Sequence, residues 1–165
     1  MRTHSRIYRY LSICMIWLLV TSMSSNADTL LSITINDNDD ASITLTDEDL
    51  LTLPQVTIET STPWDEEAIT FSGPTLKALL TQNNISEGEL NLYASNRYQI
   101  QIPWEYIEDT SPIIANRMNG SPFSRRERGP LWLIFPFDSD DRYRSYEVSA
   151  MSIWQLISME IDTKP

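Results

Sequence analysis

The chain has 165 residues, with 12 lysines and arginines against 23 aspartates and glutamates and a formal net charge of −11. A field of that sign repels phosphate, which excludes nucleic acid and anionic lipid surfaces as partners. The one cysteine and the one histidine, Cys14 and His4, both fall in an N-terminal segment that reads as removable. A mature chain without thiolate or imidazole excludes the usual zinc sites, axial haem ligation by His or Cys, Cys–His pairs and the Ser–His–Asp triad.

That segment begins with Arg2, Arg6 and Arg9, continues through an apolar stretch from Leu11 to Val20, and ends in the polar, small-residue run Thr21 to Ala27. Ser25 and Ala27 occupy the two small-residue positions of an export-signal cleavage site, which places the mature start at Asp28. Thr21 and Ser22 interrupt the apolar stretch, well short of the about 20 residues a spanning helix needs. Cys14 follows Ile13 inside the apolar stretch, so it is not read as a lipid attachment site. The expectation is a signal peptide over 1–27 and one domain over 28–165, periplasmic or secreted, with no membrane span after cleavage. Removing Arg2, Arg6 and Arg9 takes the 12 basic residues to 9 against 23 acids, and the charge from −11 to −14.

Leu31, Ile33 and Ile35 alternate with Ser32 and Thr34, the period-two pattern of a half-buried strand, and 36–40 reads as a turn. A second strand is expected over 42–45. Thr46 followed by Asp47, Glu48 and Asp49 then opens a short helix closed by Pro54. Val56 and Ile58 continue as a strand into the loop Ser61-Thr62-Pro63-Trp64. Leu76, Leu79 and Leu80 share one face of a helix with Pro74 in its first turn, which ends near Asn83-Asn84. Leu90, Leu92 and Ala94 pair as a hairpin with Tyr98, Ile100 and Ile102 across Ser95-Asn96. Pro103 begins a helical turn reaching Ile107, and Ile113 to Ala115 lead to the Asn119-Gly120 turn. Leu131 to Phe135 is apolar throughout, as for a strand buried on both faces. An acidic loop over 138–141, a helical turn over 151–156 and a last strand over 157–161 complete the chain. Strands outnumber helices without βα alternation, which predicts an α+β class that is mainly β, with a mixed or antiparallel sheet system and a few short helices.

Three segments in order, Phe71-Ser72-Gly73-Pro74-Thr75-Leu76-Lys77-Ala78-Leu79-Leu80, Ile113-Ile114-Ala115-Asn116-Arg117-Met118-Asn119-Gly120-Ser121-Pro122-Phe123 and Gly129-Pro130-Leu131-Trp132-Leu133-Ile134-Phe135-Pro136, resemble the oxidoreductase molybdopterin-binding domain, the sulfite-oxidase-like family. The resemblance runs from about Leu45 to Ile161 and implies that family's fold, with molybdopterin as the implied cofactor. It also implies a metal-ligand cysteine in the loop after the strand at 56–59. That loop here is Thr60-Ser61-Thr62-Pro63-Trp64, without a thiolate, and a hydroxyl is a poor donor to a soft-ligand metal. The strand motif also carries Trp132 where the family pattern places arginine. A fold without metal catalysis is therefore expected, and molybdenum is not.

Arg125, Arg126 and Arg128 form the densest basic cluster in the chain. Guanidinium forks match phosphate, sulfonate or carboxylate, so these residues, with Arg117 and Asn119 from the neighbouring motif, are candidates for a small anionic or pterin-like ligand. The bland alternative is a solvated loop paired with nearby acids. Trp64, in the loop corresponding to the metal-ligand region, is the candidate aromatic wall, whereas Trp132 and Trp154 sit in apolar runs that suit the core. The acid runs Asp37-Asn38-Asp39-Asp40 and Asp138-Ser139-Asp140-Asp141 lack the glycine and terminal glutamate of an EF-hand and read as solvated turns. The expected function is binding of a small ligand or docking to an envelope protein. The alternatives are a molybdopterin-dependent oxidoreductase with unusual ligation and an interaction module feeding an envelope sensor.

Overall fold

The computed structural model describes residues 28–36 and 41–163. The expected signal peptide, with Cys14 and His4, and the expected acidic turn at 37–40 lie outside the described residues. Among those described, no helix is long and apolar enough to cross a membrane.

The elements are β1 (Leu31–Asn36), β2 (Ala41–Leu45), α1 (Asp47–Thr52), β3 (Gln55–Thr62), β4 (Asp65–Pro74), α2 (Leu76–Gln82), β5 (Glu89–Ala94), β6 (Gln99–Ile102), β7 (Ile113–Ala115), β8 (Arg117–Met118), β9 (Trp132–Ile134), α3 (Tyr146–Met151) and β10 (Leu156–Asp162), with short 3-10 turns between several of them. One sheet has the order β2-β1-β10-β5-β6, a second β3-β4-β8, and β7 pairs with β9 alone. Among the described residues only β1 and β10 run parallel, and every other pair is antiparallel. The class is α+β, mainly β, with a mixed or antiparallel sheet system and, among the described residues, three short α-helices, as the strand pattern predicts.

The β7–β9 ribbon explains why 131–135 is apolar at every position. Leu131, Leu133 and Phe135 face a large core shared with Leu31, Ile33, Leu92 and Met159. Trp132 and Ile134, with Ile113 and Ala115 of β7, face a smaller core built on Ile58, Phe71 and Phe123. Each face of the ribbon meets its own apolar cluster, so period-two alternation has no polar side to report.

Several boundaries differ from expectation. The region 65–74 forms β4, pairing with β3 from Gln55↔Pro74 to Thr62↔Asp65. Its acidic start hides the alternation of Ile69 and Phe71 with Thr70 and Ser72. Pro74 is consequently the last residue of a strand, not part of a helix; Thr75 is the N-cap of α2, its hydroxyl accepting from the Ala78 amide at 3.0 Å. The C-terminal helix is 146–151, capped by Ser145 on Val148 N at 3.1 Å, and 152–155 is non-helical. Ile157 faces outward while Met159 and Ile161 are buried, because a bulge between Leu156 and Ser158 breaks the alternation.

Thr46 caps α1 with a capping box closed by Asp49. At Asn119-Gly120 the φ angles of 51° and 80° match a two-residue hairpin turn, and Met118 and Ser121 exchange backbone bonds across it at 2.9 and 3.1 Å. Gly73 is required by proximity: a Cβ there would lie 2.0 Å from the Ile114 carbonyl oxygen of β7. Gly73→Ala should therefore destabilise the fold by about 2–3 kcal/mol or more. Gly120→Ala, with nothing within 4 Å of the added carbon, should lose only the about 1–2 kcal/mol of a positive φ. Urea denaturation of both variants checks the order.

Candidate functional site

The turn between β3 and β4 is built by its own side chains. The Thr62 hydroxyl accepts from Trp64 N at 3.1 Å and donates to Asp65 Oδ2 at 3.0 Å. This places Trp64 at the tip, against Trp154 at 4.9 Å in an edge-to-face arrangement and against Trp132 at 5.8 Å. Trp132 is fully buried, its indole N–H donating to Ser152 O at 3.1 Å, and Phe71 meets its ring edge-on at 5.3 Å. Three tryptophans from three separated segments thus form one cluster.

Arg128 joins them from the loop before β9. Its guanidinium lies 5.1 Å from the Trp132 ring centre and 5.9 Å from that of Trp154, and Nη1 donates to Asp65 Oδ2 at 2.5 Å. A positive group therefore stands beside the Trp132 ring, but Asp65 neutralises it. Both partners are about one-third exposed.

Next to this cluster opens a cleft of about 430 Å³ whose walls include Pro63, Trp64, Tyr98, Tyr146, Ala150 and Trp154. The Tyr98 hydroxyl donates to Ala150 O at 3.1 Å, and the Ser149 and Ser152 hydroxyls donate to Ser145 O and Val148 O at 3.0 Å. The lining contains no carboxylate, amine, guanidinium, imidazole or thiol. Trp64, Tyr98 and Tyr146, the last 90% exposed, are three of the five large apolar or aromatic side chains left exposed among the described residues. All three line the same cleft.

The other candidates lie elsewhere. Arg117 makes a two-pronged pair with Asp47, Nη1 to Oδ1 at 2.8 Å and Nη2 to Oδ2 at 2.6 Å, joined by the Asn116 amide on Oδ1 at 2.9 Å. It ties β8 to α1, and it holds the Asp47 carboxyl below the usual carboxylate range chiefly through that hydrogen bond. The Asn116 Oδ1 is buried without a hydrogen-bond partner among the described residues. Asn119 extends the β4–β8 ladder, its amide on Thr70 O at 2.7 Å and its Oδ1 accepting from Thr70 N at 3.3 Å. Arg125 and Arg126 are exposed on a 3-10 turn with a Ser124–Glu127 capping box. The structure thus brings Trp64 and Arg128 together and engages Arg117 and Asn119 in the scaffold. Trp154, expected in the core, is half-buried and forms a cleft wall, and Tyr98 and Tyr146 went unmarked because only the fold brings them near Trp64.

The loop 60–64 does not fit a molybdenum centre. The Thr60 hydroxyl accepts from Asp138 N at 3.1 Å, and Ser61 donates its amide and hydroxyl to the Asp138 carboxylate at 2.5 and 2.8 Å. With Thr62 committed to the turn, all three hydroxyls have other partners. No group of three His, Cys, Asp or Glu among the described residues could hold a metal ion.

The chain is similar in fold to the sulfane dehydrogenase SoxCD from Paracoccus pantotrophus, with a TM-score of 0.53 and 19% sequence identity, over 81% of this chain and 38% of that one. No family model matches the chain, and no curated protein does. The likeness supports a distant molybdopterin-binding-like fold and nothing finer.

The Asp47–Arg117 pair generates a pH signature. A carboxylate whose pKa is depressed in the folded state stabilises the fold above its unfolded pKa, and that contribution is lost as pH falls through the folded value. Between about pH 5 and pH 2 the urea midpoint of Asp47→Asn should fall less steeply than that of the wild type, after starting lower at neutral pH. Parallel slopes would show that Arg117 does not perturb Asp47.

Proposed function

We propose that the mature protein is an exported binding protein that uses a molybdopterin-binding-like fold without metal catalysis. It seats the flat, pterin-like ring of a small ligand in the cleft walled by Trp64, Tyr98, Tyr146 and Trp154. The observation that carries this reading is the gathering of three exposed aromatic side chains around one cavity. Aromatic walls supply dispersion and edge or face contacts to a planar ring at little conformational cost.

The lining favours binding over catalysis, since it holds no carboxylate, amine, imidazole or thiol to work with the phenols of Tyr98 and Tyr146. General acid–base or nucleophilic chemistry needs a titratable group within hydrogen-bond reach of the reacting atom. The cleft's hydroxyls on Tyr98, Ser149 and Ser152 each donate to a backbone carbonyl. The oxidoreductase alternative would need a soft metal ligand, and the engaged hydroxyls of 60–62 do not supply one.

The docking alternative has one observation in its favour, the nearly full exposure of Tyr146 at the cleft. A partner's apolar side chain entering the same cavity would cover it. The export part of the proposal rests on the basic, apolar and small-residue succession over 1–27.

Isothermal titration with pterin tests the ring site. Loss of one stacking wall removes about 1–3 kcal/mol, so Trp64→Ala should weaken pterin by about tenfold or more while leaving the fold intact. Equal affinity in the two proteins would remove the cleft from the account. If pterin binds neither protein and Tyr146→Ala abolishes capture of an envelope partner, the docking reading takes its place.

A further inference from the structure

Eight lysine and arginine side chains fall within the described residues. Five of them, Lys77, Arg117, Arg128, Arg142 and Arg144, make ion pairs with carboxylates. The remaining three are Arg97, Arg125 and Arg126, all exposed. In a chain of net charge −11, cations left without carboxylate partners are not explained by a shortage of acids.

These three arginines sit on two loops that meet at one residue. Gln155, itself at φ 51°, accepts from Ser95 N on its carbonyl at 3.0 Å and from the Ser95 hydroxyl on Oε1 at 2.6 Å. Its Nε2 donates to Arg125 O at 2.8 Å and its backbone N–H to Arg128 O at 3.0 Å. The β5–β6 turn carrying Arg97 and the 3-10 turn carrying Arg125 and Arg126 are thereby stitched together. Gln155 directly follows Trp154, and Arg97 lies between Ala94 and Tyr98; all three of those neighbours line the cleft. Arg97 N also donates to Ala94 O at 3.0 Å, closing the turn against that wall.

We infer that Arg97, Arg125 and Arg126 form an anion-holding rim for the cleft, so that its ligand is a flat ring bearing a carboxylate or a comparable anionic group. The inference rests on the reading of the cleft as a ring site and adds the ligand's charge to it. The apolar walls take the ring, and the arginines, which the lining itself lacks, meet the charge where it emerges into solvent. Arg128, adjacent in sequence, has no part in the rim because Asp65 holds it. The chain's net charge of −11 disfavours such a ligand elsewhere, which sharpens the preference for this junction.

Titration calorimetry with 2-naphthol and 2-naphthoate separates ring from charge. The wild type should bind naphthoate about tenfold more tightly than naphthol, the scale of one charge-assisted contact. The triple variant Arg97→Gln, Arg125→Gln, Arg126→Gln should bring naphthoate down to the naphthol level and leave naphthol unchanged, and lysine at the same positions should restore most of the difference. Added salt should weaken naphthoate alone, since the arginines are exposed. Equal affinities for the two probes in the wild type would overturn the rim and leave the ring site standing. A naphthoate preference that survives the triple variant would also overturn it. If neither probe binds, both the ring site and the rim fall.

Discussion

The buried indole of Trp132 is the contact on which the candidate site depends. It lies on a three-residue strand with an apolar core on each face, and its ring is met by Phe71, Trp64, Trp154 and the Arg128 guanidinium. Truncating a buried tryptophan costs about 3–5 kcal/mol in a typical core. Here it would also remove the surface on which both Trp64 and Trp154 rest, and with them two walls of the cleft. Trp132 is thus the residue that organises the local structure.

The second organising element is the distribution of positive charge. With acids in excess, most described arginines are drawn to carboxylates, and these pairs do structural work of modest individual value because they are partly exposed. Asp47–Arg117 fastens β8 to the start of α1, and Asp65–Arg128 fastens the turn at Trp64 to the loop before β9. Asp138, whose carboxyl the Ser61 amide and hydroxyl hold below the usual range, fastens the same hairpin from its other side. The hydroxyls of the loop 60–62 are therefore occupied by hydrogen bonds that shape a turn. The fold likeness to a sulfane dehydrogenase and the unsuitability of that loop for molybdenum are compatible, since a fold fixes where a site can form and not which chemistry fills it.

Much of the architecture was legible in the sequence because it follows local pattern. Period-two alternation located β1, β5 and β6, the capping signal at Thr46 located α1, and Asn119-Gly120 located the hairpin turn. Unbroken apolarity at 131–135 signals a strand covered on both sides, as β9 is. β4 was missed because Asp65, Glu66 and Glu67 mask its alternation, and the last helix was placed late because α3 begins with the exposed Tyr146 and Glu147. Among site residues, Trp64 was visible from its loop. Trp154, Tyr98 and Tyr146 come together only through the sheet order, and Arg97 stands alone in its turn, with no neighbour in sequence to mark it. The pairing of Arg117 and Arg128 with Asp47 and Asp65 spans 70 and 63 residues, so no local signal could report it.

The central proposal is that a molybdopterin-binding-like fold here carries an aromatic binding cleft and no metal centre. Its most direct test is the molybdenum content of the protein purified from the envelope of a host that makes the cofactor. The account predicts no stoichiometric molybdenum. Metal approaching one atom per chain would contradict it and favour the oxidoreductase alternative.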